Sequence, residues 1–106
     1  MELANKVVAI TGAGQGLGKQ VALSLAESGV NLALIDLNLE QLRETQAECE
    51  SLGVNARVYV TNVTNEQQVC AAFEQIEVDF KQLNGVINNA GIMRDGMFIK
   101  VKDGQI

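Results

Sequence analysis

Residues 7–18 read VVAITGAGQGLG. An apolar, β-branched run ends at Thr11 and passes straight into glycine at positions 12, 14, 16 and 18, four of the ten glycines in the chain. Glycine weakens a helix or strand interior by roughly 0.5–1 kcal/mol relative to alanine. Four at alternate positions therefore need a local reason: a left-handed backbone, or a close approach by another group.

Three phosphate-binding patterns can be laid on this stretch. The pattern G-x-x-x-x-G-K-[ST] fails, because Ala13 stands five residues before Gly18 and Gln20 follows Lys19. The pattern G-x-G-x-x-G fails, because it would need glycine at Leu17 or Lys19. The pattern T-G-x-x-x-G-x-G fits at Thr11, Gly12, Gly16 and Gly18. In such a loop glycine permits the sharp turn out of a strand and lets a pyrophosphate touch the backbone. The last glycine lets the helix pack closely, with its N-terminal N–H groups facing the phosphates.

Working outward, strand and helix signals alternate. Lys6 to Thr11 predicts a buried strand. Leu17, Val21 and Leu25 recur every four residues and predict the apolar face of a helix ended by Gly29. Asn31 to Asp36 is a second strand. Asn38 is placed to cap a second helix, with Leu39, Leu42, Cys49 and Leu52 as its apolar positions and Gly53 as its stop. Ala56 to Thr61 is a third strand. Thr64-Asn65-Glu66-Gln67 has the form of a capping box, and Val69, Phe73, Ile76 and Phe80 follow at helical spacing. Leu83 to Ile87 is a fourth strand. The order β-α-β-α-β-α-β predicts an α/β fold: a three-layer, doubly wound parallel sheet of the Rossmann type with strand order 3-2-1-4. Asp36 ends the second strand about 20 residues after the glycines, where such folds place the carboxylate that accepts from the adenosine ribose.

These residues, with Asn62-Val63-Thr64 after the third strand and Asn88-Asn89-Ala90-Gly91 after the fourth, resemble the short-chain dehydrogenase/reductase family over the whole chain. The resemblance implies an oxidoreductase with NAD as cofactor. The cofactor-binding residues it implies are Gly12, Gln15, Gly16, Leu17, Gly18, Asp36, Leu37, Asn62, Val63, Asn89, Ala90 and Gly91. Asn62 and Val63 would line the adenine pocket, where the Asn62 side chain can accept from the adenine amine through its oxygen and can also donate. Asn89 to Gly91 would run beside the cofactor. Members that use NADP place a basic residue at the position of Gln15 or just after Asp36; neutral Gln15 and Leu37 stand there. Within the family, residues 88–103 look like the bacterial 3-oxoacyl-[acyl-carrier-protein] reductase branch. That implies an acyl-thioester substrate and makes Arg94, Lys100 and Lys102 a candidate patch for an acidic carrier protein.

The family's hydride transfer uses a serine and a Tyr-x-x-x-Lys pair. The single tyrosine is Tyr59, followed four positions later by Val63, while Ser24, Ser28 and Ser51 fall on the first helix, at its end and at the end of the second. No catalytic residue is therefore assigned. The chain reads as the cofactor-binding half of a longer enzyme, inactive alone. A non-catalytic nucleotide-binding module is the rival reading. A flavodoxin-like protein is a third, disfavoured because binding a mononucleotide needs no ribose-binding acid at Asp36.

The bulk properties agree. A net charge of −5 in 106 residues disfavours nucleic acid and anionic membranes as partners. There is no apolar run of about 18 residues and no secretory signal pattern, which leads to an expected cytoplasmic location. With no histidine and two cysteines at no ligand spacing, a zinc site and a Ser-His-Asp triad are excluded within the chain. Glu40, Glu44 and Glu48 are expected to form a solvated helix face. Cys49 and Cys70 are expected on opposite faces of the sheet, without a disulfide. A homo-oligomer is expected, with the fourth strand as its pairing edge unless residues 92–106 cover it.

Overall fold

A computed structural model of the chain describes residues 3–89. Seven elements follow in strict alternation: β1 (Val7–Thr11), α1 (Gly16–Glu27), β2 (Asn31–Asp36), α2 (Leu39–Ser51), β3 (Ala56–Val60), α3 (Glu66–Phe80) and β4 (Gly85–Asn88). The strands form one parallel sheet in the order β3-β2-β1-β4. β1 lies against β2 with Val7 opposite Asn31 and Thr11 opposite Ile35, and against β4 with Thr11 opposite Asn88.

Strand alternation divides the core. Val7, Ala9, Ala33, Ile35 and Tyr59 point to one face, where Val69, Ala72, Phe73 and Ile76 of α3 meet them. Ile10, Leu32, Leu34 and Ala56 point to the other, under Ala22 and Ala26 of α1 and Leu42 and Cys49 of α2. Strands covered on both faces are apolar on both sets of positions, which is why these runs show no polar alternation. Cys49 and Cys70 thus belong to helices on opposite faces, and neither is in a disulfide.

Four expectations shift, each for a local reason. The buried line of α1 is Gly18, Ala22 and Ala26, not Leu17, Val21 and Leu25. Leu17 is 66% exposed. Val21 and Leu25 are half-buried flanks. The helix lies too close to β1 for large side chains on its contact line. In α2 the buried line is Leu42, Thr45 and Cys49, whereas Leu39 and Leu52, at the helix ends, are exposed. α3 is capped by Asn65, whose side chain accepts from Gln68 N at 3.0 Å, one residue after the expected Thr64. β4 begins at Gly85 because Asn84 pairs with Val7 twice, donating its N–H to Val7 O and accepting from Val7 N through its side-chain oxygen, both at 2.8 Å. A side-chain oxygen there does the work of a strand carbonyl.

The acidic face of α2 is also more engaged than expected. Glu48 lies 2.6 Å from the Lys19 ammonium and ties α2 to α1. This pairing raises the lysine pKa.

Candidate functional site

The C-terminal ends of β1, β2, β3 and β4 open on one edge of the sheet, where parallel α/β folds receive ligands. β1 ends at buried Thr11, whose hydroxyl donates to Asn88 Oδ1 at 2.9 Å and so joins β1 to β4. The loop then leaves the sheet late, since Ala13 N still donates to Ile35 O at 3.1 Å. Gly12 and Gly16 turn with φ of 69° and 59°. Gly18 answers a different demand. A Cβ there would lie 2.0 Å from Gly12 O and 2.9 Å from Asn89 Nδ2, so α1 can seat against the loop only without one.

The start of α1 carries no side-chain cap. Gln15, at its N-cap, is extended and makes no capping bond, and the first turn holds no acid. The first N–H groups of a helix have no intrahelical partner and carry the positive end of its dipole. The chain leaves this end open to an anion.

Asp36 stands beside it. Its Oδ2 accepts from Gly14 N at 2.8 Å and its Oδ1 from Leu37 N at 2.7 Å. Each oxygen is fixed by a backbone donor and keeps a lone pair for a hydroxyl. Exposed Leu17 and Leu37 lie on either side of this corner in sequence, after Gly16 and after Asp36. Asn89 reaches from the end of β4 to the loop, with Nδ2 3.4 Å from Gly12 O.

Asn62 and Val63 follow β3 at the same edge, and the structure narrows what Asn62 can offer. Asn62 Oδ1 accepts from Thr64 N at 3.0 Å and Thr64 Oγ1 at 2.6 Å. The side chain therefore offers a ligand its amide N–H groups rather than its oxygen. Val63 packs against the core on the α3 side. Ala90, Gly91, Arg94, Lys100 and Lys102 lie outside the described residues, as does the 92–106 segment.

Two residues of the site escaped the sequence reading. Thr45 donates its hydroxyl to Ala13 O at 3.0 Å, pinning the loop to α2. Gln41 reaches Gln15, with Nε2 3.0 Å from Gln15 Oε1. Gln41 carried a signal only as the third residue after the Asn38 cap; the threonine carried none.

Tyr59 has no part in this edge. It is buried under α3 and donates to Asp79 Oδ2 at 2.7 Å. Burial first, then the aspartate, hold its pKa far above the usual tyrosine value. A groove of about 400 Å³ beside it, lined by Tyr59, Val60, Thr61, Gln68, Ala71 and Ala72, contains none of the expected site residues. Among the described residues no helix is long and apolar enough to cross a membrane.

A sequence model of the family described as short chain dehydrogenase matches residues 6–106. The chain belongs to that family. It is 35% identical to human 17-beta-hydroxysteroid dehydrogenase 13 over 104 residues, which cover 98% of this chain and 35% of the other. It is 34% identical to a 3-oxoacyl-[acyl-carrier-protein] reductase of Thermotoga maritima, covering 97% of this chain and 42% of that one. The chain thus spans well under half the length of these relatives, and the two match it about equally. Among solved structures, NAD⁺-bound xylitol dehydrogenase superposes with a TM-score of 0.79 at 37% identity, covering 81% of this chain and 33% of the other. A Haemophilus influenza oxidoreductase with bound NAD, assigned to D-mannonate only by inference, gives 0.75 at 36%, covering 80% and 30%.

Proposed function

We propose that this chain holds the NAD of an oxidoreductase that moves a hydride between nicotinamide and a carbonyl or alcohol carbon. One observation carries the reading: the Asp36 carboxylate, pinned by the Gly14 and Leu37 N–H groups, stands beside an uncapped helix start that Gly18 seats against the loop at Gly12. The residues fit a dinucleotide, with open N–H groups for a pyrophosphate and a fixed acceptor for ribose hydroxyls. Bound NAD supplies the hydride carrier; the residues of this chain hold and orient it. Gly12, Gln15, Gly16, Leu17 and Gly18 take the diphosphate end, Asp36 and Leu37 the adenosine ribose, Asn62 and Val63 the adenine, and Asn89, Ala90 and Gly91 the remaining length.

NAD is favoured over NADP because a 2′-phosphate would meet Asp36. Two unit charges about 4 Å apart repel by roughly 1 kcal/mol in water and about 4 kcal/mol at an effective dielectric of 20. The Gly14 N–H that could receive a phosphate oxygen is already held by the carboxylate. A 3-oxoacyl or 3-hydroxyacyl thioester is the finer substrate reading, supported by residues 88–103 and by the Thermotoga reductase. For these 106 residues by themselves, binding without turnover is the reading that Tyr59 favours, since it serves Asp79 and is followed four positions on by Val63. Titration calorimetry of the chain with NAD and NADP, beside an absorbance assay for alcohol-dependent NADH formation, tests this. NAD binding tighter than NADP, without turnover, is expected. Absence of binding, or tighter NADP, overturns it.

A further inference from the structure

Gln41 sits in the first turn of α2, where Asn38 Oδ1 accepts its backbone N–H at 2.9 Å. Its side chain crosses to the glycine loop. Nε2 donates to Gln15 Oε1 at 3.0 Å. A Cβ built on Gly14 would lie 2.8 Å from Asp36 Oδ2, 3.0 Å from Gln41 Cβ and 3.3 Å from Gln41 Oε1. Gln41 therefore packs over Gly14, shoulder to shoulder with the carboxylate. Gln15, freed from capping α1, is held by this amide bridge instead. Thr45, one turn later, fastens the same stretch of α2 to Ala13 O.

We propose that Gln41 is a specificity-determining residue of the nucleotide site, completing with Asp36 an acceptor-lined rim that takes a free ribose hydroxyl and turns away a 2′-phosphate. The inference rests on the NAD reading above. A hydroxyl donates and is matched by Asp36 Oδ1, Asp36 Oδ2 and Gln41 Oε1. Phosphate oxygens only accept, and on this rim they meet acceptors. The two backbone donors at the rim, the Gly14 and Leu37 N–H groups, are both taken by Asp36. The Gln41 Nε2 that could serve a phosphate is spent on Gln15.

The test is calorimetric titration of NAD and NADP into the chain and its Gln41→Ala, Gln41→Lys, Gln15→Ala and Gln15→Ala/Gln41→Ala variants, with a thermal melt of each. Gln41→Ala is expected to lower the preference for NAD over NADP by about three- to tenfold, the size of one hydrogen-bonded contact. Gln41→Lys, which keeps the side-chain length and adds a cation, should lower it further. The double variant should lower it no more than Gln41→Ala alone, since both residues form one bridge. A residue that only supports the helix would shift the melt and weaken both nucleotides alike. An unchanged NAD:NADP ratio in Gln41→Lys, with NAD still bound by the unaltered chain, overturns this inference alone. An unaltered chain that binds neither nucleotide overturns the NAD reading and this one together.

Discussion

After β1 the chain enters α1 through Gly12–Gln15 with no side chain capping the helix; after β3 it enters α3 through a stretch in which almost every polar side chain is spent on the turn itself. Asn65 caps α3, Asn62 Oδ1 holds Thr64 by its N–H and its hydroxyl, and Gln68 Oε1 accepts from Asn62 N at 2.8 Å. α3 also carries Glu66 in its first turn, whereas α1 has no acid there. Both corners face the same edge, and both helices begin with donors that need acceptors. The α3 corner satisfies the start of its own helix. The bare one leaves its donors for an acceptor such as the proposed dinucleotide. The helices differ in the same sense: α1 meets the sheet through Gly18, Ala22 and Ala26, while α3 uses Val69, Ala72, Phe73 and Ile76, three of them large. Close seating of the loop demands small residues, and no such demand falls on α3.

The largest effect is expected from breaking the close seat. Gly18→Val puts branched carbon where a single Cβ would already lie 2.0 Å from Gly12 O. Overpacking of this kind costs about 3 kcal/mol or more, because backbone, not a flexible side chain, must move. Chemical denaturation should show a large fall in stability, with loss of NAD binding. Only minor change in both would mean that α1 can stand off from β1.

A smaller and more pointed pair exchanges the two corners. Gln15→Asp gives α1 the cap and the negative charge that α3 already has. Stability of the unliganded chain should rise by about 0.5–1 kcal/mol, while NAD affinity falls because the carboxylate occupies the anion's place. Asn65→Ala strips the cap from α3 and should cost about 1 kcal/mol, leaving NAD affinity unchanged. Denaturant melts and calorimetry on both variants read the crossing. If Gln15→Asp gains stability without losing NAD, the open start of α1 is not where the dinucleotide binds.

The smallest effect is confined to the ends of the pH scale. Tyr59 donates to Asp79, which also accepts from Gln75 Nε2 at 2.9 Å. The hydrogen bond from Tyr59, first among its causes, lowers the Asp79 pKa below its ordinary 3.8. Its contribution is therefore present above that value and is lost as pH falls through the lowered pKa. The tyrosine pKa is raised above its ordinary 10.0, so its contribution is present below that value and is lost as pH rises beyond it. Tyr59→Phe should flatten stability against pH at both the acid and the alkaline ends and leave nucleotide binding alone. Unchanged slopes in melts taken across pH would remove the pair from the stability of this face.

Much of this comparison was legible in the sequence. The buried strands announce themselves as Val7–Ile10 and Leu32–Ile35, because a strand covered on both faces has no polar positions. The glycine spacing from Gly12 to Gly18, with Asp36 at the end of the next strand, marked the corner that the structure assembles through the bond from Gly14 N to Asp36 Oδ2. The face of α1 was misjudged by one residue. Periodicity ranks large apolar side chains above small ones, whereas the contact line of α1 is set by how near it comes to Gly12. The cap of α3 slipped from Thr64 to Asn65, because two adjacent residues can each cap and only the path of the loop decides between them. For Asn62 the sequence left both accepting and donating open, and only the fold shows that Thr64 claims its oxygen.

The sequence alone determined the alternation of elements and the placement of the glycine loop and Asp36 at the ends of two successive strands. These rest on local chemistry: apolar runs, caps, and glycines where a Cβ cannot go. Only the tertiary structure decided that Asp36 is pinned through Gly14, that Thr45 anchors Ala13 and that Gln41 reaches Gln15. Those partners are separated by 22, 32 and 26 residues. They meet because β1 and β2 are neighbours in register and α2 packs over the same face as α1. No local pattern records a contact that exists only once the sheet has been assembled.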